Sequence, residues 1–119
     1  WFMKQNGPIS GFTGAIWTGV TTYTLAKAME AALKENLIGL YNLVNNESIN
    51  KFDLCSLFNK YFRGGEVVID FDNKLQLDKS LRRKRNDFSF VVPSYEQQIK
   101  EMREWVDNHK ELYPHYNVK

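Results

Sequence analysis

Tyr23 and Lys27, in the run "YTLAK", are spaced so that a helix would set a phenol and an ammonium one turn apart on a single face. Such a pair can move a proton, because a neighbouring cation favours the phenolate and eases its ionisation. The same spacing arises when a tyrosine packs near a helix start while a lysine reaches water, and that is the commoner use. Other titratable residues offer less. His109 and His115 have Pro114 between them, and no thiol or carboxylate completes a metal set. Asp70 and Asp72 alternate as a carboxylate pair on a strand would, yet a strand running out into a solvated loop accounts for them equally. Cys55 lies between Phe52 and Phe58 in an expected helix, without a histidine near in sequence, which fits a packed thiol.

Charge and composition narrow the classes. The chain has 119 residues, 43% of them hydrophobic, enough for one domain with a modest core and too few for two. Sixteen basic against 14 acidic residues leave a net charge of +2, little long-range field for nucleic acid or an anionic membrane. The run "RRKR", Arg82 to Arg85, has no aromatics among its charges and reads as a solvated loop. Asn46 to Ser48 spell a glycosylation triplet, but the lone Cys55 excludes an intrachain disulfide and fits a reducing, cytoplasmic setting. No apolar run approaches the roughly 20 residues that span a bilayer. The opening "WFMK", two large aromatics with no methionine before them, fits a piece of a longer protein.

Three helices and about three short strands are expected to position these groups, in an α/β arrangement. "GFTGAIW", Gly11 to Trp17, reads as a strand, after which Thr21 or Thr22 caps a helix with Leu25, Met29, Ala32 and Leu33 on one stripe, ending near Asn36. "GLYNLVN", Gly39 to Asn45, reads as a buried strand. Asn50 then caps a second helix, with Asp53 in its first turn, Ile49 stapling against Leu54, and Leu54, Leu57, Phe58, Tyr61 and Phe62 on its apolar face, to stop at Arg63 to Gly65. "EVVIDF", Glu66 to Phe71, reads as a third strand, followed by a polar loop with one short helical turn near Ser80. Pro93 and Ser94 open the last helix, where Ser94 and Gln97 predict a capping box and Tyr95, Ile99, Met102 and Val106 line one face. Strands alternating with helices predict at least some parallel pairing.

Three blocks carry a family resemblance, running from about Gly11 to Tyr113. "AIWTGVTTYTLAKAM" matches a strand that enters a helix through a Tyr-Val-Asp-Asp type turn, with Thr21 and Thr22 at the positions of the acids. "GLYNLVNNESINKFDL" is similar to a Gly-x-Tyr-Asn-Leu strand followed by a Ser-x-x-Glu-Leu helix start, with Asn50 and Asp53 in those two roles. "DKSLRRKRNDFSFVVPSYEQQIKEMREWV" resembles an Asp-x-Ser-Lys segment with a proline-led last helix. Together they resemble the C-terminal part of an extended short-chain dehydrogenase/reductase, in the dTDP-4-dehydrorhamnose reductase or sugar-nucleotide epimerase branch.

The resemblance implies a single small substrate-binding domain over residues 1–119, the C-terminal portion of a Rossmann-type enzyme. NAD or NADP would be held by an N-terminal dinucleotide-binding domain outside these residues, which would also carry the family's catalytic tyrosine and lysine. Tyr23 and Lys27 would then match that pair by coincidence, and the chain alone would bind no cofactor and catalyse nothing. It further implies a sugar-type substrate, and it admits a homodimer. The family's Arg-Asp-Phe before the first strand is "ISGFTG" here and its Arg-Pro near the third is "VIDFDN", so two phosphate clamps differ. Trp17, Thr18, Gly19, Thr21 and Thr22 are the expected substrate contacts, since a strand there hands over to a helix N-terminus rich in hydroxyls and backbone donors. Lys79, Arg82 and Arg83 are secondary candidates. The competing possibility is a non-enzymatic interaction module presenting Trp105 on the third helix or the basic loop.

Overall fold

The computed structural model describes residues 1–119, an α/β chain with three helices and five short strands in two sheets. Strand β1 (Ile9–Phe12) pairs in parallel with β4 (Ile69–Asp72), Ile9 opposite Ile69. Strand β2 (Ala15–Trp17) stands between β3 (Ile49–Asn50), antiparallel, and β5 (Leu77–Asp78), parallel. Helices α1 (Thr22–Lys34), α2 (Lys51–Phe62) and α3 (Tyr95–Asn108) complete the chain, with single 3-10 turns at Phe2–Lys4 and Lys110–Leu112. No helix is long and apolar enough to cross a membrane.

The core lies between α2 and α3. Phe62, Ile99 and Val106 are buried there, and Leu54, Leu57, Phe58 and Met102 pack around them, so both apolar faces read from the sequence meet. Arg63, buried at the end of α2, donates from one guanidinium nitrogen to the carbonyls of Met3 (3.1 Å) and Gln5 (2.8 Å) and so ties the N-terminal turn to this core. α2 also covers the β1–β4 pair closely: a Cβ on Gly11 would come within 2.5 Å of the Phe52 ring, so glycine is what permits the approach.

The helix ends follow their sequence signals with one exception. Thr21 is the cap of α1, its hydroxyl accepting from Thr24 N–H at 3.2 Å, and Asn50 caps α2 by accepting from Asp53 N–H at 2.7 Å. α1 closes with Asn36 at φ 53°, where Leu37 N–H returns to Ala32 carbonyl and Asn36 N–H to Leu33 carbonyl, the paired bonds of a Schellman end. Ser94 accepts from Gln97 N–H at 3.3 Å, but the Gln97 side chain turns to Glu101 instead, so the capping box is half made.

The strands depart further from expectation. The single strand expected over Gly11 to Trp17 is two, split by a turn at Thr13 and Gly14 whose Thr13 N–H and hydroxyl both bond Asp72 carbonyl (2.9 and 3.2 Å). Gly39 to Asn45 joins no ladder; its one main-chain bond is Asn45 N–H to Thr18 carbonyl at 3.0 Å. The third strand begins at Ile69 rather than Glu66, because Asn59 holds Val67 through both its main-chain groups (3.1 and 2.7 Å) and bends the chain there. No helical turn forms near Ser80; Ser80 N–H donates to the Asp78 carboxylate at 2.8 Å, an Asx turn that ends β5.

The stripe on α1 faces outward. Leu25, Met29 and Leu33 are 41%, 60% and 79% exposed, while Thr24 and Ala28 turn in. Periodicity marked the apolar stripe, but the face that packs within the chain is the one carrying Thr24 and Ala28.

Candidate functional site

The turn from β2 into α1 is tightly built. Trp17 folds its indole back over Gly19, where a Cβ would meet the ring at 2.0 Å, so no other residue fits that position without moving the indole. The Trp17 ring lies 6.1 Å from Tyr95 and 5.6 Å from the Lys51 ammonium, and Tyr95 hydroxyl donates to Trp17 carbonyl at 3.3 Å. Burial, with the Glu47 carboxylate adding to it, pushes the Tyr95 phenol up to about 12, so it stays a proton-bearing donor at neutral pH.

Thr18 is buried and its hydroxyl is fully used: it donates to Leu81 carbonyl (3.2 Å) and accepts from Leu81 N–H (2.8 Å). Thr21 caps α1, and its own N–H donates at 3.0 Å to Gln98, a buried amide that also holds Pro93 carbonyl at 2.9 Å. Thr22 is exposed and engages nothing within the chain through its hydroxyl.

These residues divide between two cavities that share no lining residue. Trp17, Thr21 and Thr22 line a 210 Å3 pocket floored by Leu54, Ile99 and Met102. Thr18 lines a polar cleft of 450 Å3 with Asn45, Asn46, Ser48, Arg82 and Arg83. Gly19 and Lys79 line neither. The cleft is assembled by the Asn45 main-chain bond to Thr18 and by the Thr18 clasp on Leu81, which bring two remote loops to one strand end. Asn45 braces it further, donating to Pro93 carbonyl at 2.8 Å and accepting from Glu47 N–H at 3.2 Å. Of these residues, Asn45, Asn46 and Ser48 were not anticipated as contacts; a run of turn-forming Asn, Glu and Ser after an apolar segment was their one sequence signal.

The basic run is only partly a solvated loop. Arg85 pairs with Asp87 at 2.6 Å and donates to the carbonyls of Ile38 (2.7 Å) and Leu40 (3.0 Å), while Arg83 holds the carbonyls of Arg85 and Phe88 at 2.7 and 3.0 Å. The Arg82 guanidinium makes no bond within the chain and borders the cleft, the one arginine of the run free to meet an anion there.

Tyr23 and Lys27 do share a face, but the ammonium lies over the phenol ring, 4.9 Å from its centroid, and pairs with Glu101 at 2.5 Å. Tyr23 packs 5.5 Å from Trp105, on the wall of an apolar pocket that shares Thr22, Phe58 and Met102 with the one beside the turn. His109 stacks on Trp105 at 3.8 Å, and no three His, Cys, Asp or Glu side chains converge. Burial raises the Cys55 thiol above its usual range, against nucleophilic use. At each of the three helix starts the cap side chain, Thr21, Asn50 or Ser94, accepts from one main-chain N–H, and no glycine-rich turn leads from a strand into any of them.

Neither a family model nor a curated protein matches the chain. Among solved structures, it is similar to the crystal structure of a dTDP-4-dehydrorhamnose reductase from Clostridium acetobutylicum ATCC 824, with a TM-score of 0.55 and 14% identity. The likeness covers 91% of this chain and 41% of that one, so the chain spans less than half the length of the reductase whose α/β fold it shares.

Proposed function

We propose that these 119 residues are the substrate-binding part of an NAD(P)-dependent reductase or epimerase of the extended short-chain dehydrogenase/reductase type, acting on a sugar nucleotide or a related carbonyl compound. One observation carries this: nearly the whole chain is similar in fold to part of a dTDP-4-dehydrorhamnose reductase, the branch that the sequence blocks resemble. The chain's own residues bind and orient the substrate. In the cleft, the Asn46 amide and the Ser48 hydroxyl suit a polyol, and Arg82 suits a phosphate or carboxylate. Across the turn, Thr22 and the Trp17 ring offer a hydroxyl and an aromatic face.

Two phosphate-binding positions of the resemblance differ here, and Arg82 stands at the cleft as a replacement cation from a different segment. NAD or NADP supplies hydride chemistry from a dinucleotide-binding unit outside these residues, so no catalytic step is assigned to Tyr23 or Lys27. Equilibrium dialysis of the chain against a dTDP-hexose, NADH and NADPH tests the proposal. Saturable binding of the dTDP-hexose, weakened by Arg82→Ala, with none of either dinucleotide, is the expected result. Binding of NADH or NADPH alone would remove it.

A further inference from the structure

Gln98 stands on the inward side of α3, one residue before the fully buried Ile99, and is itself only 1% exposed. An apolar side chain would fill that place without the cost of burying an amide, so what the amide adds is its bonds. Its oxygen accepts from Thr21 N–H at 3.0 Å and its nitrogen donates to Pro93 carbonyl at 2.9 Å, which joins the start of α1 to the residue before the cap of α3.

The Pro93 carbonyl has a second donor. Asn45, also buried, donates to the same oxygen at 2.8 Å from its side-chain nitrogen, while its side-chain oxygen accepts from Glu47 N–H at 3.2 Å and its main-chain N–H donates to Thr18 carbonyl at 3.0 Å. One carbonyl oxygen takes both bonds on its two lone pairs. A continuous path of hydrogen bonds results, from Thr21 through Gln98, Pro93 and Asn45 to Thr18 and Glu47. Gln98 lines the 210 Å3 pocket and Asn45 lines the cleft, so the path runs from one cavity to the other.

Regular structure does not duplicate this path. Residues 79–94, which wall the cleft at Ser80 to Arg83 and end at the Pro93–Ser94 pair, form neither helix nor strand, and residues 40–48, which supply Asn45, Asn46 and Ser48, form none either. Bonds within one network strengthen one another, so losing one loosens the rest.

We propose that Gln98 is a positioning residue for the cleft: through the Pro93 carbonyl it fixes Asn45, and with it the neighbouring Asn46 and Ser48, at the geometry that meets ligand. That the ligand is a sugar nucleotide rests on the function proposed above; the link between Gln98 and Asn45 does not.

Two measurements on the 119-residue chain test it. Gln98→Met keeps the length of the side chain and removes both of its bonds, and Asn45→Ala removes the other donor to Pro93. In calorimetric titration with a dTDP-hexose, Gln98→Met weakens binding by about fivefold or more, and in the Asn45→Ala background the same change adds less than about twofold. A residue that only stabilises the fold lowers the melting temperature and leaves the affinity of the folded chain unchanged, and one that touches the ligand itself gives equal losses in both backgrounds; either result overturns the proposal. The second measurement uses no sugar and only Asn45→Ala, whose site lies outside the helices and strands. Loosening that end of the path speeds hydrogen exchange of the Thr21 amide by about threefold or more, while the Leu25 amide, bonded to Thr21 carbonyl in α1, keeps its rate. An unchanged Thr21 rate in the folded variant overturns the proposal. If Gln98→Met does not fold, if Asn45→Ala abolishes binding, or if the chain binds no dTDP-hexose and the proposed function falls, the Thr21 rate alone decides.

Discussion

The α2–α3 half and the α1 half of this molecule were written in the same sequence code and ended differently. On α2 and α3 the apolar stripes face each other, and Phe62, Ile99 and Val106 are buried between them. On α1 an equally regular stripe of Leu25, Met29 and Leu33 faces out, while the helix is held by its short side: the Thr24 and Ala28 contacts, the Thr21 cap and the Lys27–Glu101 pair. Periodicity reports that a face is meant to be covered. Whether its cover lies in the same chain is a property of the rest of the fold.

Large-to-small substitutions should break the two halves apart most clearly. Ile99→Ala in the core should cost about 2–5 kcal/mol in chemical denaturation, since a buried side chain leaves a cavity, whereas Leu33→Ala should stay within about 0.5 kcal/mol. Equal costs at the two positions would mean that the α1 stripe is buried in solution. Next in size, Gly19→Ala should destabilise by about 1–3 kcal/mol, because its Cβ would collide with the Trp17 indole and force it from its place. A changed tryptophan emission beside the lower melting point checks the cause.

The cap gives a smaller contrast. Thr21→Ala should cost about 1 kcal/mol in thermal or chemical melts, while Thr22→Ala, one residue on and exposed, should cost nearly nothing. Smallest is the link between α2 and α3 at Glu96, whose carboxylate accepts from Lys60 at 2.8 Å and from Tyr61. Those bonds hold its pKa down to about 2 from the usual 4.5, so their contribution is present above about pH 4.5 and is lost as the pH falls from there toward about 2. The pair is exposed, so added salt should shrink this acid dependence, and Glu96→Gln should flatten that part of the stability profile.

Local chemistry was legible and long-range pairing was not. The caps at Thr21, Asn50 and Ser94 could be read because each is a contact between residues three apart. The α2 face was legible because its partner, α3, is present and carries the complementary stripe. β5 went unseen because two residues, Leu77 and Asp78, pair only where β2 offers an edge, and β1 and β2 merged because the Thr13–Gly14 turn is fixed by remote Asp72. "GLYNLVN" shows the converse, strand composition with no strand beside it. At the site, the strand-to-helix turn was legible as a place. That Thr18 faces one cavity while Trp17, Thr21 and Thr22 face another depends on Leu81 and Asn45, which no spacing in the sequence connects to it.

The most direct test of the proposed function is amide chemical-shift mapping of the chain during titration with a dTDP-hexose. The account predicts saturable shifts at Thr18, Asn46, Ser48 and Arg82 around the cleft, with smaller ones at Trp17 and Thr22 across the turn and at Ile99 and Met102 on that pocket's floor. Saturable shifts confined to the Tyr23 and Trp105 pocket, or none at any concentration that saturates the structurally similar reductase, would contradict it.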